Sequence, residues 1–171
     1  MLKKIIVFTI ILSMLSVMVA CSKDNKEESR ELTYEEQVEQ FGKKITGLMN
    51  GKEYVKIAEY WSEAYVSLLE NELDKSFSEL KSMYKVNCIN KNIRNAKVES
   101  VEIVETLDKD KIYCITISCY YDQNNDKTYA EDKLYVFMEG DKMVFIDRTL
   151  EIEDVIKVSK EKYQFASPIT E

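Results

Sequence analysis

Residues 112–121 read IYCITISCYY, and this stretch decides the class of the fold. One set of alternate positions consists of Tyr113, Ile115, Ile117, Cys119 and Tyr121, and the other of Ile112, Cys114, Thr116, Ser118 and Tyr120. Successive side chains of a β-strand point to opposite faces, and β-branched and aromatic residues favour strands. The stretch therefore predicts a strand with one apolar face and one mixed face.

The sequence on both sides of this strand predicts an antiparallel meander. Residues 98–104 are rich in valine and isoleucine, and a polar turn follows at residues 107–110. On the other side, the apolar residues 134–138 and 143–146 flank Glu-Gly-Asp-Lys at 139–142. A Gly-Asp pair between two apolar stretches is a strong signal for a short hairpin.

Helical patterns come before the strands. Thr33-Tyr34-Glu35-Glu36 and Ser76-Phe77-Ser78-Glu79 both fit the capping box, in which a hydroxyl and a glutamate satisfy free amides at a helix start. Apolar residues then recur at helical spacing to about residue 85. We expect Gly51 to end the first helix in a left-handed conformation and Ser62 to cap a later one.

Helices followed by antiparallel strands predict an α+β domain, with the N-terminal helices packed on one face of the sheet. Residues 152–163 would add a short final helix. The element order, with Gly51-Lys52-Glu53-Tyr54 and Ala58-Glu59-Tyr60-Trp61-Ser62 ahead of the strands, resembles the nuclear transport factor two-like, or cystatin-like, superfamily. The resemblance covers about residues 34–150. It implies a curved sheet that wraps around the helices as a cone.

The first 21 residues resemble the signal of a bacterial lipoprotein. Lys3 and Lys4 precede an apolar run at 5–20, which as a helix would be about 24 Å long, too short to cross a bilayer. The run ends in Met-Val-Ala-Cys, similar to the lipobox, in which the cysteine is acylated and the chain is cut before it. The resemblance implies a lipid anchor on Cys21 and a location at the outer face of the cell membrane. An ordinary signal peptide, or a single transmembrane anchor, is the alternative.

The sequence thus predicts four consecutive parts. They are a signal peptide at 1–20, the lipidated cysteine with a flexible polar tether at 21–32, the α+β domain at 33–165 and a C-terminal tail at 166–171.

The composition excludes several classes of function. The net charge is −7, or −9 once Lys3 and Lys4 are set aside, and such a surface repels phosphate backbones and anionic headgroups. We therefore expect no nucleic-acid partner. The chain has no histidine, the commonest general base and a common zinc ligand, and the sequence indicates neither a metal site nor a cofactor.

Three cysteines remain when Cys21 is assigned to lipid. Cys114 and Cys119 would point to opposite faces of one strand and so cannot pair with each other. Cys88 could form a disulfide with either of them, or all three could be buried thiols. A nucleophilic cysteine would lack its usual histidine base.

Five apolar or aromatic residues are the candidates for lining a pocket, if the cone is open. They are Trp61, Tyr65, Tyr113, Ile117 and Phe137. Packing in the core explains Trp61 and Tyr65 equally well.

The sequence contains no assembled catalytic set, and no catalytic residue is assigned. We expect a non-enzymatic domain that binds an envelope protein or a small apolar molecule. One alternative is a small isomerase or dehydratase with its active site inside the cone, where Asp147 would be a base and a tyrosine such as Tyr113, Tyr121 or Tyr135 would stabilise an oxyanion. The other is an accessory or spacer subunit of an envelope complex.

Overall fold

A computed structural model describes residues 32–123, 126–147, 150–167 and 169, which fall in one compact unit, Leu32–Glu171. The elements are α1 (Tyr34–Asn50), α2 (Tyr54–Ile57), a 3₁₀ turn (Ala58–Tyr60), α3 (Glu63–Leu73), α4 (Phe77–Lys91), β1 (Arg94–Glu105), β2 (Lys111–Gln123), β3 (Asp126–Glu139), β4 (Lys142–Ile146), α5 (Ile152–Lys162) and β5 (Phe165–Ala166). The predicted α+β class and the short final helix are confirmed. Within the described ranges, no helix is both long and apolar enough to cross a membrane.

The helix starts follow the predicted capping boxes. At α1, Thr33 Oγ1 accepts from the Glu36 amide at 3.2 Å, and Glu36 Oε2 accepts from the Thr33 amide at 2.8 Å. Ser76 and Glu79 form the same pair of bonds at the start of α4. A hydroxyl cap of this kind stabilises a helix by about 1 kcal/mol. Both boxes are therefore confirmed.

The helix ends differ from the prediction at two places. Gly51 is right-handed, with φ −76°, and its amide continues the helical bonding to Gly47. Lys52 takes the positive φ instead, at 59°, and its amide bonds to the Met49 carbonyl. The second difference is at α4, which continues to Lys91 instead of ending near residue 85. The added turn buries Cys88 in the core.

The strands form an antiparallel sheet in the order β1-β2-β3-β4, with β5 paired to the end of β3. The predicted hairpin at 139–142 is confirmed: Glu139 pairs with Lys142, and Gly140 has φ 56°. The face of β2 that carries Ile115 and Ile117, here called the inner face, is turned towards α1. At Gly42 of α1, a Cβ would lie 2.9 Å from Val98 Cγ2 and 3.1 Å from Ile115 Cδ1, so helix and sheet are in direct contact there.

The opposite face of the sheet, here called the outer face, is covered as well. Cys114 and Phe137 lie on it and are buried. The Phe165 ring packs on Phe137 with centroids 5.5 Å apart, and Ser167 Oγ donates to the Lys111 carbonyl. The C-terminal segment after β4 therefore covers this part of the sheet. The expectation of helices on one face concerned the N-terminal helices, and the final helix α5 contacts α3 and β5.

Candidate functional site

A cavity of about 660 Å³ lies between α3, α4 and the inner face of β3 and β4. Its volume is in the range of small-molecule sites. Its buried apolar lining comes from five separate elements and from the residue directly before β1. It consists of Met49, Leu69, Leu80, Ile93, Leu134 and Phe145. Leu73 and Met83 also line it and are exposed, so the cavity opens to solvent between α3 and α4.

Three aromatic rings form one wall of the cavity. Trp61 packs edge-to-face against Tyr84 at 5.0 Å and against Tyr65 at 5.7 Å between centroids. The three belong to the turn before α3, to α3 and to α4, so the helix packing holds the rings together. Trp61 is only 6% exposed, and its Nε1 has no hydrogen-bond partner within the described part of the chain. The wall is closely packed and largely apolar.

Two carboxylates line the same cavity, and each accepts a hydrogen bond from a tyrosine. Tyr121 donates to Asp132 Oδ2 at 2.7 Å, and Tyr65 donates to Asp147 Oδ1. Asp132 is on the inner face because it pairs with Ile117, and Asp147 comes directly after β4. The Lys91 Nζ lies 4.8 Å from the centroid of the Tyr121 ring.

The hydroxyls and thiols of this region are held in their neutral forms. Burial raises the pKa of Tyr84 far above its ordinary value, and the nearby Cys88 adds to the increase. Burial also raises the pKa of Tyr121, and the hydrogen bond from Tyr121 to Asp132 raises it further. The pKa of the Cys88 thiol is raised for the same first reason, burial. Near neutral pH these groups act as hydrogen-bonding groups, and Cys88 is not a thiolate nucleophile.

The structure separates the five candidate residues into two groups. Trp61 and Tyr65 line the cavity, whereas Tyr113, Ile117 and Phe137 are buried but do not line it. Phe137 follows the inner-facing Val136, so strand alternation turns it to the outer face. Tyr113 and Ile117 share the inner face with Ile115. Burial raises the pKa of Tyr113, and Glu35 in the first turn of α1 raises it further, so the two side chains are near each other. Tyr113 therefore lies under α1, away from the cavity.

Several cavity residues were not among those candidates. Asp132, Tyr84 and Cys88 line the cavity with Asp147. Helical spacing predicts that Tyr84 lies on the inward side of its helix. Asp132 could have been recognised as a cavity residue from a second signal, an acidic residue on the inward face of a strand. That second signal needs the register of β3 against β2, which the sequence did not supply.

The cysteines and the possible metal ligands complete the description of the site. Cys88, Cys114 and Cys119 are buried, and none of the three is in a disulfide. Among the residues that the structure describes, no group of three or more Cys, Asp or Glu side chains is arranged to hold a metal ion. Cys21 lies outside the described residues.

A second groove, of about 690 Å³, lies on the other side of Trp61. Its lining includes Glu63, Glu70 and the buried Glu139. Glu139 Oε1 accepts from Ser62 Oγ at 2.7 Å, from Ser159 Oγ at 2.9 Å and from the Ala64 amide at 3.3 Å, and Oε2 accepts from the Glu63 amide at 2.6 Å. Its carboxylate is therefore occupied by the protein's own donors, and the cavity remains the better candidate site.

Comparison of the chain with protein-family models, with curated proteins and with solved structures gave no match.

Proposed function

We propose that this chain is a binding protein held by a lipid anchor at the outer face of the cell membrane. Its α+β domain binds a small, mainly apolar molecule and does not transform it. One observation carries the binding role: the open cavity of about 660 Å³ combines a buried apolar lining with a few polar groups. Sites for small molecules have this make-up, because apolar area supplies affinity and a few hydrogen-bonding groups select the orientation.

The shape of the sheet supports a likeness to the cone of the nuclear transport factor two-like superfamily. β2 and β3 are long, with 13 and 14 residues, and β1 has register shifts at Arg94/Lys97 and Val98/Ser100. Irregularities of this kind bend a strand and increase its twist. We propose that the sheet curves around α1 and leaves the cavity at the end covered by α3 and α4.

The anchor is the second part of the proposal. It rests on the apolar run that ends at Cys21 and on the polar, charged residues 22–31 that come after it. Changing Cys21 to Ala should abolish incorporation of a labelled fatty acid and release the protein from membranes. A Cys21→Ala chain that still carries the label, or still migrates as the mature form in the membrane fraction, would rule out the anchor and leave the binding role intact.

The binding role can be tested with the only tryptophan of the chain, Trp61, which lies in the cavity wall. We expect benzyl alcohol, a neutral aromatic probe, to change the Trp61 emission of the full chain in lipid nanodiscs in a saturable way. Met83→Arg places a long charged side chain at the mouth and should weaken this response at least about fivefold, or by about 1 kcal/mol.

Val86→Arg is the matched control. Val86 is one turn further along α4, is exposed to a similar extent (56% against 50% for Met83) and does not line the cavity. It should leave the response unchanged. Equal responses in both variants, or no saturable change in the parent protein, would refute binding in this cavity.

An isomerase or dehydratase is the second candidate function, and one observation favours it: Asp147 and the neutral hydroxyl of Tyr84 line the same cavity. A carboxylate could remove a proton and a tyrosine could donate to the resulting oxyanion. Ligand NMR after prolonged incubation with the protein tests it. A covalently altered ligand that is not formed by Asp147→Asn would support the enzyme, whereas an unchanged ligand supports binding alone.

A further inference from the structure

We infer that the ligand of this cavity is a small organic cation, such as an aromatic or alkyl ammonium compound. The inference rests on the proposed binding function and adds the chemical class of the ligand. It depends on three features of the cavity. These are two carboxylates on one side, a wall of electron-rich rings beside them, and tyrosine hydroxyls that donate hydrogen bonds to the carboxylates.

The two carboxylates act on the same part of the cavity. Asp132 on β3 and Asp147 after β4 belong to neighbouring strands. Burial raises the pKa of Tyr84 most, Cys88 adds to it, and both carboxylates raise it further. Burial also has the largest effect on the pKa of Cys88, which Tyr84 and Lys91 lower and both carboxylates raise. The phenol and the thiol on α4 therefore lie within the electrostatic reach of both. A ligand beside Tyr84 would be in the field of both carboxylates, and Lys91, which lines the same cavity, would oppose part of that field.

Asp132 keeps acceptor capacity for a ligand. A carboxylate has about four lone-pair positions, and the hydrogen bond from Tyr121 uses one of them. Within the described residues, Asp132 forms no salt bridge at 4.0 Å or less, although Lys91 lies over the Tyr121 ring. A partly buried carboxylate that forms no salt bridge within the described residues favours a cation from solution, because charge-assisted hydrogen bonds are about twice as strong as neutral ones.

The aromatic wall supplies the second interaction that a cation requires. The faces of Trp, Tyr and Phe rings attract cations by about 0.5 to 2 kcal/mol, with Trp the strongest. Trp61, Tyr65 and Tyr84 all line the cavity. Trp61 packs edge-to-face against each of the two tyrosines, an arrangement that leaves ring faces in different directions. An organic cation could therefore contact rings as well as carboxylates.

Tyr65 links the wall to the charge. Its ring packs on Trp61 and its hydroxyl donates to Asp147, so one side chain determines the position of both. Tyr121 holds Asp132 in the same manner. These contacts orient both carboxylates before a ligand binds, and such preorganisation lowers the cost of binding.

The test uses three probes with a common ring: benzyltrimethylammonium, benzyl alcohol and benzoate. Binding to the full chain in nanodiscs is followed by saturation-transfer NMR and by Trp61 emission. We expect the cation to bind about tenfold more tightly than the alcohol, equal to about 1.4 kcal/mol, and benzoate to bind more weakly than both.

Asp132→Asn should weaken binding of the cation about tenfold and leave benzyl alcohol unchanged, because the amide keeps an acceptor for Tyr121 and removes only the charge. Asp154→Asn, at an exposed position on α5, is the matched control and should change neither probe. Thermal unfolding of each variant shows whether the fold is retained. Asp147→Asn is an independent second variant if Asp132→Asn does not fold.

The outcomes separate this inference from the function on which it rests. Equal affinity for cation and alcohol, with no effect of Asp132→Asn, would overturn the cationic ligand and leave the binding function standing. Preferential binding of benzoate would overturn it in favour of Lys91 as the recognition group. If no probe binds, the binding function itself fails and the inference fails with it.

Discussion

The carboxylate of Glu139 and the carboxylates of the cavity lie on opposite sides of Trp61 and have different surroundings. Glu139 is 7% exposed and accepts four hydrogen bonds from the protein, two from serine hydroxyls and two from backbone amides at the start of α3. Asp132 and Asp147 are half-buried and line the open cavity, where Tyr121 donates to Asp132 and Tyr65 donates to Asp147.

The difference shows that the number and type of donors around a buried acid determine how much acceptor capacity it retains. The free amides at a helix N-terminus carry a partial positive charge, and Glu139 neutralises it while it ties β3 to α3 and, through Ser159, to α5. Such a carboxylate has little capacity left for a ligand. Asp132 has one neutral donor and retains most of its acceptor positions.

Removing Glu139 should therefore have the largest effect on stability. Glu139→Ala leaves Ser62, Ser159 and the Glu63 amide without their acceptor, and we expect a loss of about 3 to 5 kcal/mol in the free energy of unfolding. Asp132→Ala should cost only about 1 kcal/mol, because one tyrosine hydroxyl near solvent loses its partner. Urea unfolding measures both. Similar losses in the two variants would mean that the two regions do not differ in role.

An intermediate effect is expected when only the donors are changed. Ser62 donates to Glu139 and also caps α3 by accepting from the Tyr65 amide at 3.2 Å. Ser62→Ala should reduce stability by about 1 to 2 kcal/mol. Tyr121→Phe, the corresponding change at Asp132, should cost less than about 1 kcal/mol but should weaken binding of the cationic probe, since Asp132 is no longer oriented. If Ser62→Ala kept its fold but no longer bound the cationic probe, the Glu139 region and the cavity would not be distinct in function.

The smallest effect concerns alkaline pH and the cavity side alone. Burial raises the pKa of the Cys88 thiol above its ordinary value of 9.0, so the folded chain keeps a proton that the unfolded chain loses. The folded state then binds more protons, and stability falls as the pH rises from about 9. Cys88→Ala should make this fall shallower above about pH 9 in urea unfolding. An identical slope in the parent and the variant would show that the thiol ionises equally well in both states.

Local sequence predicted the local structure well. The two capping boxes, the Ser62 cap and the Gly-Asp hairpin each depend on residues within a few positions of one another, and each is present. Gly51 shows the limit of such rules, because the helix continued through it and Lys52 took the positive φ. Where a helix has several acceptable endings, the packing of the next element selects one, and here that element is α2 with its buried Tyr54 and Ile57.

The candidate site was harder to predict because its members come from distant parts of the chain. Phe137 was grouped with Trp61 and Tyr65, yet the strand register turns it to the outer face, under Phe165. Glu139 was interpreted as a polar residue of a hairpin turn, and it is a buried anchor that meets Ser62, 77 positions away. Shifting a strand by one residue exchanges its faces, so errors of this kind result from an unknown register.

Alternation in β2 and the spacing of caps and apolar residues were enough to determine an α+β chain, because backbone geometry imposes periods of 2 and 3.6 on any sequence that buries one side. The same residues indicated Trp61 and Tyr65 as inward-facing. Only the tertiary structure decided that the rings border an open cavity and that Asp132 and Asp147 line it. It also decided that Glu139 accepts hydrogen bonds from the amides at the start of α3. Those outcomes depend on the register between strands and on where the helices rest, which are set by contacts across the whole domain.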